Sequence, residues 1–220
     1  KMVKLQDEPI ADPVCIPVYY VAKLARDNGV IVCQVGEGAD ELFCGYEGWK
    51  RSINLQKLND SFPFQRLKKI LVKTLSIVPY VKDSFQLEWL KRASDSRPIF
   101  WGGAEAFSDI HKRRLLSPRL RKKFSKLSSW KVIEPIRSRF EKKSWEKSNL
   151  NWMTYLDLNL RLPELLLMRV DKMSMGVSLE GRVPFLDHKF VELAMSIPED
   201  VKTKNKTLKY ILKKSVRGII

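Results

Sequence analysis

The chain has 220 residues, and its 41 Lys and Arg residues outnumber its 25 Asp and Glu residues, giving a formal net charge of +16. A hydrophobic fraction of 44% is enough for the core of a globular domain. No apolar run approaches the ~20 residues that span a bilayer, and the N-terminus has no signal-peptide core. We therefore expect a soluble, cytoplasmic protein with no membrane partner. Cys15, Cys33 and Cys44 form no C-x-x-C pair, so we expect free thiols and neither zinc nor a disulfide.

The positive charge is concentrated in residues 112–147 and 202–217. This concentration raises the hypothesis of a nucleic-acid partner. The basic residues are not interleaved with a ladder of aromatic side chains, and no helix-turn-helix, RRM or zinc-finger pattern is present. We interpret the charge as a solvated helical face and do not favour a nucleic-acid partner. The densest part of it consists of Arg119, Arg121, Lys122, Lys123 and Lys126.

The first predicted elements are a helix and a strand. Asp12 and Pro13 read as the N-cap and first residue of a helix that Asn28 and Gly29 close. The run from residue 30 to residue 35 is short, rich in β-branched residues and free of charge. That pattern is typical of a parallel strand covered on both faces.

Directly behind this strand lies an acidic loop, residues 36–45, with the sequence GEGADELFCG. A carboxylate beside a phosphate repels it unless a cation lies between them, so the loop suggests a phosphate bridged by magnesium. A dinucleotide fingerprint would need glycine where the chain has Glu41. The structural alternative is that Glu37, Asp40 and Glu41 are acids of a first helical turn that stabilise its dipole.

The rest of the chain has mostly helical spacing. We predict helices over residues 63–75, 107–116, 135–145, 150–162, 163–175, 189–197 and 207–216, and we interpret Trp89, Trp101, Trp130 and Trp152 as packing residues. The predicted fold class is α/β, with part of a doubly wound parallel sheet followed by a predominantly helical section.

Three further stretches complete a pattern with the acidic loop. They read DEPIADP over residues 7–13, LMRVDKMSM and LEGRVPFLD within residues 167–187, and KTLKYIL over residues 206–212. Together the four ordered blocks resemble the synthetase domain of asparagine synthetases. The resemblance implies an adenine nucleotide alpha hydrolase-like fold of the pyrophosphatase-loop type. It also implies that residues 1–220 are the C-terminal part of one synthetase domain. Residues 55–147 carry no motif, so there the resemblance rests on its flanks.

The resemblance implies that ATP adenylates a carboxylate, that pyrophosphate leaves with Mg²⁺, and that ammonia attacks the acyl-adenylate. Asp40 would then be a magnesium ligand. Glu37 would orient or deprotonate the incoming ammonium, and Lys206 would stabilise the charge that develops at phosphorus. Three residues, Val35, Gly36 and Gly38, would lie against the nucleotide, the glycines because they permit close backbone approach.

Four charged residues lie among apolar ones in the third block: Asp171, Lys172, Glu180 and Arg182. We expect them to be buried and therefore paired. They would form a supporting network that either braces the site or contacts substrate.

The chain departs from the family pattern in several places. The phosphate-binding loop with serine, two glycines, aspartate and serine is absent, as is the N-terminal glutaminase, so we expect this chain to be a piece of a longer enzyme in which the glutaminase is a partner domain. Val35 stands where serine is common and Cys44 where glycine is common. The acceptor therefore stays open between aspartate and another carboxylate, such as a sugar acid of a surface polysaccharide, or ring closure. A homodimer and a catalytically silent relative also stay open.

Overall fold

The computed structural model describes residues 2–7, 10–204 and 207–219. The described chain is mostly helical, as predicted, with a small parallel sheet. The α-helices are α1 (Cys15–Asp27), α2 (Ala39–Phe43), α3 (Glu47–Ser61), α4 (Gln65–Leu75), α5 (Phe85–Ser94), α6 (Asp109–Leu115), α7 (Pro118–Lys123), α8 (Trp130–Lys143), α9 (Asn149–Asn159), α10 (Met168–Met175), α11 (His188–Ser196), α12 (Glu199–Lys202) and α13 (Tyr210–Ser215). The strands are β1 (Val32–Gln34) and β2 (Glu180–Arg182). Short 3-10 helices span Met2–Leu5 and Pro184–Leu186, and a π-helix spans Leu162–Leu167.

Most helix predictions are confirmed within a few residues. One exception is α8, which begins at Trp130 and carries Pro135 inside it, whereas the sequence pattern placed Pro135 at its start. A second is a set of helices that the sequence pattern did not predict, α3, α5, α7 and α12. Of these, α7 carried a local signal, since Ser117 caps it and Pro118 follows. Among the described residues, no helix is both long and apolar enough to cross a membrane.

The protein consists of two compact units. Unit 1 comprises residues 1–45 and 157–220, and unit 2 comprises residues 46–156. The described candidate site residues named above all belong to unit 1, and the stretch without a motif, residues 55–147, lies entirely within unit 2.

Unit 1 contains the sheet. β1 pairs with β2 in parallel, with Val32 opposite Glu180 and Gln34 opposite Arg182, so the predicted parallel strand is confirmed. The prediction that it is covered on both faces is wrong for the described residues, since Ile31 and Val32 are 64% and 39% exposed. The physical reason is that β2 is the one strand that pairs with β1 in the described residues, and both strands alternate between exposed and half-buried positions.

Helix packing supplies the core of unit 1. α1 ends before Asn28 as predicted, and Gly29 follows with a positive φ of 83°. Cys15 and Tyr19 of α1 are buried against Met173 of α10. A second cluster, formed by buried residues of α2 and α11, consists of Leu42, Phe43 and Ala194. The acidic loop is therefore fixed at both sides by packed helices.

The core of unit 2 contains charge as well as apolar side chains. Arg92 is 1% exposed, pairs with Glu88 at 3.2 Å and also with Glu105, and lies 3.9 Å over the Trp101 ring. The Trp152 ring is buried, and its Nε1 donates to the carbonyl of Phe100 at 3.2 Å. The interpretation of these tryptophans as packing residues is confirmed.

Asp109 fixes the start of α8 in unit 2. Its carboxylate accepts hydrogen bonds from the Ser128 hydroxyl, the Ser129 backbone N–H and Lys112. Burial favours the neutral form, but the three hydrogen bonds outweigh it, so the pKa of Asp109 lies below its ordinary value of 3.8.

We expect the contribution of Asp109 to stability to depend on pH. Because its pKa is lowered in the folded state, ionised Asp109 stabilises the fold at neutral pH, and this contribution is lost as the pH falls through the acidic range below about 4. Urea unfolding should show Asp109→Asn clearly destabilised at pH 7 and progressively closer to the parent protein as the pH falls. Glu134→Gln, at an exposed carboxylate of the same unit, should show no such convergence. A pH-independent effect of Asp109→Asn would contradict this account.

Candidate active site

The acidic loop leaves the sheet at the carboxyl end of β1. The Val35 N–H donates to the carbonyl of Arg182 at 2.7 Å, which ties the loop to β2. Gly36 has open space where a side chain would stand. Gly38 has a φ of 93°, and a Cβ there would collide with the Leu186 side chain, so this position requires glycine for structural reasons alone.

Two of the three loop acids lie in the first turn of a helix, as the structural alternative in the sequence analysis predicts. Asp40 and Glu41 lie in the first turn of α2, whereas Glu37 precedes the helix. α2 has only five residues and ends at Phe43, and its C-cap, Cys44, has a φ of 55°. The chain then turns at Gly45, where a Cβ would overlap Oδ1 of Asp40. The loop is thus compact, and its carboxylates face other parts of unit 1.

Asp40 is paired with a lysine from the far end of the chain. Lys209 Nζ lies 2.8 Å from Asp40 Oδ1, and the Lys209 N–H donates to the carbonyl of Phe43 at 3.1 Å. Both side chains are partly open to solvent, 28% for Lys209 and 37% for Asp40. The sequence prediction named Lys206 for this cationic role, and Lys206 lies outside the described residues. Lys209 lies in the same sequence block, residues 206–212, and no motif spacing distinguished it from the neighbouring lysines.

Glu37 is paired with an arginine that the sequence analysis did not single out. Arg169, on α10, donates to Asp12 Oδ2 at 2.8 Å and to Glu37 Oε1 at 3.2 Å. Its side chain is 11% exposed. Burial disfavours the charged guanidinium, but the hydrogen bond and charge of Asp12, then those of Glu37, outweigh it and raise the pKa of Arg169 above its ordinary value. A fixed cation therefore joins two acids that are far apart in sequence.

The predicted burial of the supporting residues is wrong. Asp171, Glu180 and Arg182 are exposed, and Lys172 is half-buried. Glu180 and Arg182 pair with each other at 2.7 Å, and Lys172 pairs with the exposed Asp7 at 2.8 Å. The reason is geometric: residues two apart on a strand share a face, and that face of β2 is open. On α10 the buried face consists of Val170, Met173 and Ser174.

The loop can offer a metal ion only a limited set of ligands. In the part of the chain that the structure describes, no group of three or more His, Cys, Asp or Glu side chains could hold a metal ion. Asp40 engages Lys209 through Oδ1, and no described residue bonds its Oδ2. Mg²⁺ at phosphoryl-transfer sites is commonly held by one or two carboxylates together with substrate phosphates and water. Asp40 fits that pattern as a single protein ligand.

Comparison with known proteins settles the family. The family model for asparagine synthase matches residues 1–220. The chain belongs to the asparagine synthase family. It is 35% identical over 219 residues to asparagine synthetase [glutamine-hydrolyzing] 1 of Bacillus subtilis, an alignment that covers 97% of this chain and 32% of that protein. It is 32% identical over 217 residues to a putative asparagine synthetase [glutamine-hydrolyzing] of Mycobacterium bovis, covering 97% of this chain and 31% of that one.

A shorter match reaches higher identity. The chain is 51% identical over 55 residues to asparagine synthetase [glutamine-hydrolyzing] 3 of Bacillus subtilis, covering 25% of this chain and 9% of that protein. No solved structure matches the chain. The chain spans about a third of the length of the first two of these curated relatives, although the alignments cover nearly all of the chain itself.

Two cations on α10 provide a matched test of the site. Arg169→Ala would leave two neighbouring carboxylates without their shared partner, so we expect a loss of about 2 kcal/mol in the free energy of unfolding. The free energy of unfolding of Arg169→Lys should lie between those of the parent protein and Arg169→Ala. The lysine ammonium keeps the charge but lacks the planar guanidinium that donates to two acids. Lys172→Ala, which removes an exposed pair, should leave the urea midpoint unchanged. Equal effects of Arg169→Ala and Lys172→Ala would contradict the account of Arg169 as the cation that organises the loop.

Proposed function

We propose that the full-length protein carrying this chain catalyses ATP-dependent amide formation, most simply the conversion of aspartate to asparagine with nitrogen from glutamine. The observation that carries the proposal is the match of the asparagine synthase family model to the whole chain. The acidic loop supports it, because its carboxylates stand at the end of a parallel strand with one cation paired to each of Glu37 and Asp40. The ends of parallel strands are where α/β enzymes bind their ligands.

The finer fold assignment is part of the proposal. We propose that residues 1–220 are the C-terminal part of a doubly wound synthetase domain of the pyrophosphatase-loop type. The parallel pairing of β1 with β2 supports this assignment, and so does the exposure of Ile31 and Val32, apolar residues that further layers of such a domain would cover. In this proposal the phosphate-binding loop and a glutaminase domain belong to other parts of the full-length protein.

The proposed reaction has two steps. In the first, a carboxylate oxygen of the acceptor attacks the α-phosphorus of ATP, and the bond to the bridging oxygen breaks to release pyrophosphate. In the second, ammonia attacks the acyl carbon, AMP leaves with the carboxylate oxygen, and the nitrogen loses a proton. The first step brings two anions together, so it needs positive charge at the site. Bound Mg²⁺, held by Asp40, would neutralise the leaving pyrophosphate.

The residues of this chain have separate roles in that scheme. The Lys209 ammonium is the cation held beside Asp40. We assign to it the stabilisation of phosphate charge that the family resemblance implied for Lys206. Glu37 accepts a proton from ammonium or orients ammonia, because only the neutral amine is nucleophilic. Arg169 is a positioning residue, since it fixes the Glu37 carboxylate through a hydrogen bond at 3.2 Å.

The acceptor is the least constrained part of the proposal. Val35 places an apolar side chain at the entrance of the loop, where a serine would offer a hydroxyl. This observation favours, as a second candidate, a related enzyme that amidates another carboxylate, such as a sugar acid, or closes a ring. The two candidates share the adenylation chemistry and differ in the substrate that triggers it.

The test measures AMP and pyrophosphate from the full-length protein with ATP, Mg²⁺, glutamine and aspartate. We expect Asp40→Asn and Lys209→Ala each to lower turnover by about 10² or more, because the first removes the proposed magnesium ligand and the second removes positive charge beside the reacting phosphate. Glu37→Gln should lower amide formation more than adenylation. Lys206→Ala, measured in parallel, tells which of the two lysines acts, and Lys214→Ala, at an exposed lysine of α13, is the matched control.

The outcomes separate the candidates. AMP formed with other carboxylates but not with aspartate would favour the second candidate. Full activity in Asp40→Asn and Lys209→Ala would remove the catalytic assignment and leave a catalytically silent site. A nucleic-acid-binding module would instead show DNA or RNA affinity that falls steeply with salt.

A further inference from the structure

One segment of unit 2 combines apolar residues with positive charge and carries no acid. From residue 61 to residue 82 the sequence reads SFPFQRLKKILVKTLSIVPYVK, with five basic residues and no Asp or Glu. Its centre is helix α4 (Gln65–Leu75). Such a composition is typical of helices that lie on surfaces rather than of helices buried in a core.

A buried lysine fixes which face of α4 turns inward. Lys68 is 3% exposed, and its Nζ donates to the carbonyl of Asn59 at 3.1 Å and to Asn59 Oδ1 at 2.5 Å. Val72 and Leu75 share this side and are half-buried. α4 therefore packs on the rest of unit 2 through the hydrogen bonds of Lys68 and through the half-buried side chains of Val72 and Leu75.

The apolar residues of α4 lie largely on the outside. Leu67, Ile70 and Leu71 are three and four positions apart, so they form a single stripe, and they are 44%, 59% and 40% exposed. We call these three residues the α4 stripe. Exposed apolar and aromatic residues extend it at both ends, namely Phe62 and Phe64 before the helix and Ile77, Val78 and Tyr80 after it.

Three cations run beside the α4 stripe. Arg66, Lys69 and Lys73 are exposed, and within the described part of the chain none of them forms an ion pair. The segment offers no acid of its own to neutralise them. A partner for this surface must therefore supply negative charge at the edges and accept apolar side chains in the middle.

We propose that the α4 stripe and its flanking cations bind the surface of an anionic lipid bilayer. Lipid headgroups supply phosphate charge beside the acyl region, which is the arrangement that this surface complements. Tyr80, at one end, suits the interface, where a ring with a polar edge is stable, and Phe62 and Phe64 at the other end add exposed apolar area. The net charge of +16 adds attraction to such a surface. The expectation of no membrane partner rested on the lack of a spanning segment, which does not bear on surface binding.

The test is cosedimentation of the full-length protein with vesicles, at about 0.1 M salt, of phosphatidylcholine alone or with about 30% phosphatidylglycerol. We expect binding to the anionic vesicles and little to the neutral ones. The variant R66Q/K69Q/K73Q should bind about 100-fold more weakly, since each basic residue near an anionic surface contributes roughly fivefold. Leu67→Gln with Ile70→Gln should also weaken binding, by about tenfold or more, because less apolar area enters the interface.

Helix α7 supplies the matched control. R121Q/K122Q/K123Q removes the same one arginine and two lysines from an exposed helix of the same unit, so the two triple variants have equal net charge. Retained binding in the α7 variant supports the proposal, whereas equal loss in both variants would show general attraction of a basic protein and overturn it. The proposal is also overturned if wild-type protein stays in the supernatant, or if Leu67→Gln with Ile70→Gln abolishes self-association instead, in which case a second copy covers the stripe. The assay needs neither ATP nor an acceptor, so its result is independent of the proposed catalysis.

Discussion

The structure of unit 1 depends on pairing between the carboxylates of one short loop and cations that arrive from distant segments. Arg169 joins Asp12 and Glu37 across 157 and 132 residues of sequence, respectively. Lys209 closes on Asp40 from the far end of the chain. Without these cations the loop would concentrate like charges, and like charges close together repel and disfavour the compact state. The parallel sheet, α10 and the start of α13 are thus held together around one turn, in which Glu37 and Asp40 are each paired with a cation.

Local patterns predicted many of the elements and indicated the acidic loop as the candidate site. The Asn28–Gly29 ending and the β-branched run are local signals, and each produced the expected helix end or strand. The predicted cap at Asp12 is wrong, because α1 begins at Cys15 with Val14 as its N-cap. The burial of that strand was not predictable in the same way, because an uncharged run indicates compatibility with a covered sheet and carries no information on what covers it. Within the described residues, β2 pairs with one edge of β1 and no further strand extends the sheet.

Local sequence patterns also could not identify the cations that pair with Glu37 and Asp40. Arg169 lies between apolar residues on α10, one position from Val170, and only the rotation of that helix shows that its side chain points to Glu37 while Asp171 points to solvent. The supporting residues were misjudged for the same reason, since apolar neighbours in sequence do not bury a charge that faces the opposite side of a helix or strand. Lys209 is one of several lysines in a basic segment, and only a long-range contact distinguishes it.

The backbone close to the Asp40–Lys209 contact is strained at two residues. Cys44 and Lys209 both have left-handed backbone angles, with φ values of 55° and 52°. This conformation costs a residue with a side chain roughly 1–2 kcal/mol, so the contacts around Asp40 keep two strained residues in place. The Lys209 side chain contacts Asp40 while its own backbone N–H donates to the carbonyl of Phe43, the residue before Cys44. Part of the stability gained from these two contacts is therefore offset by the backbone strain at Cys44 and Lys209.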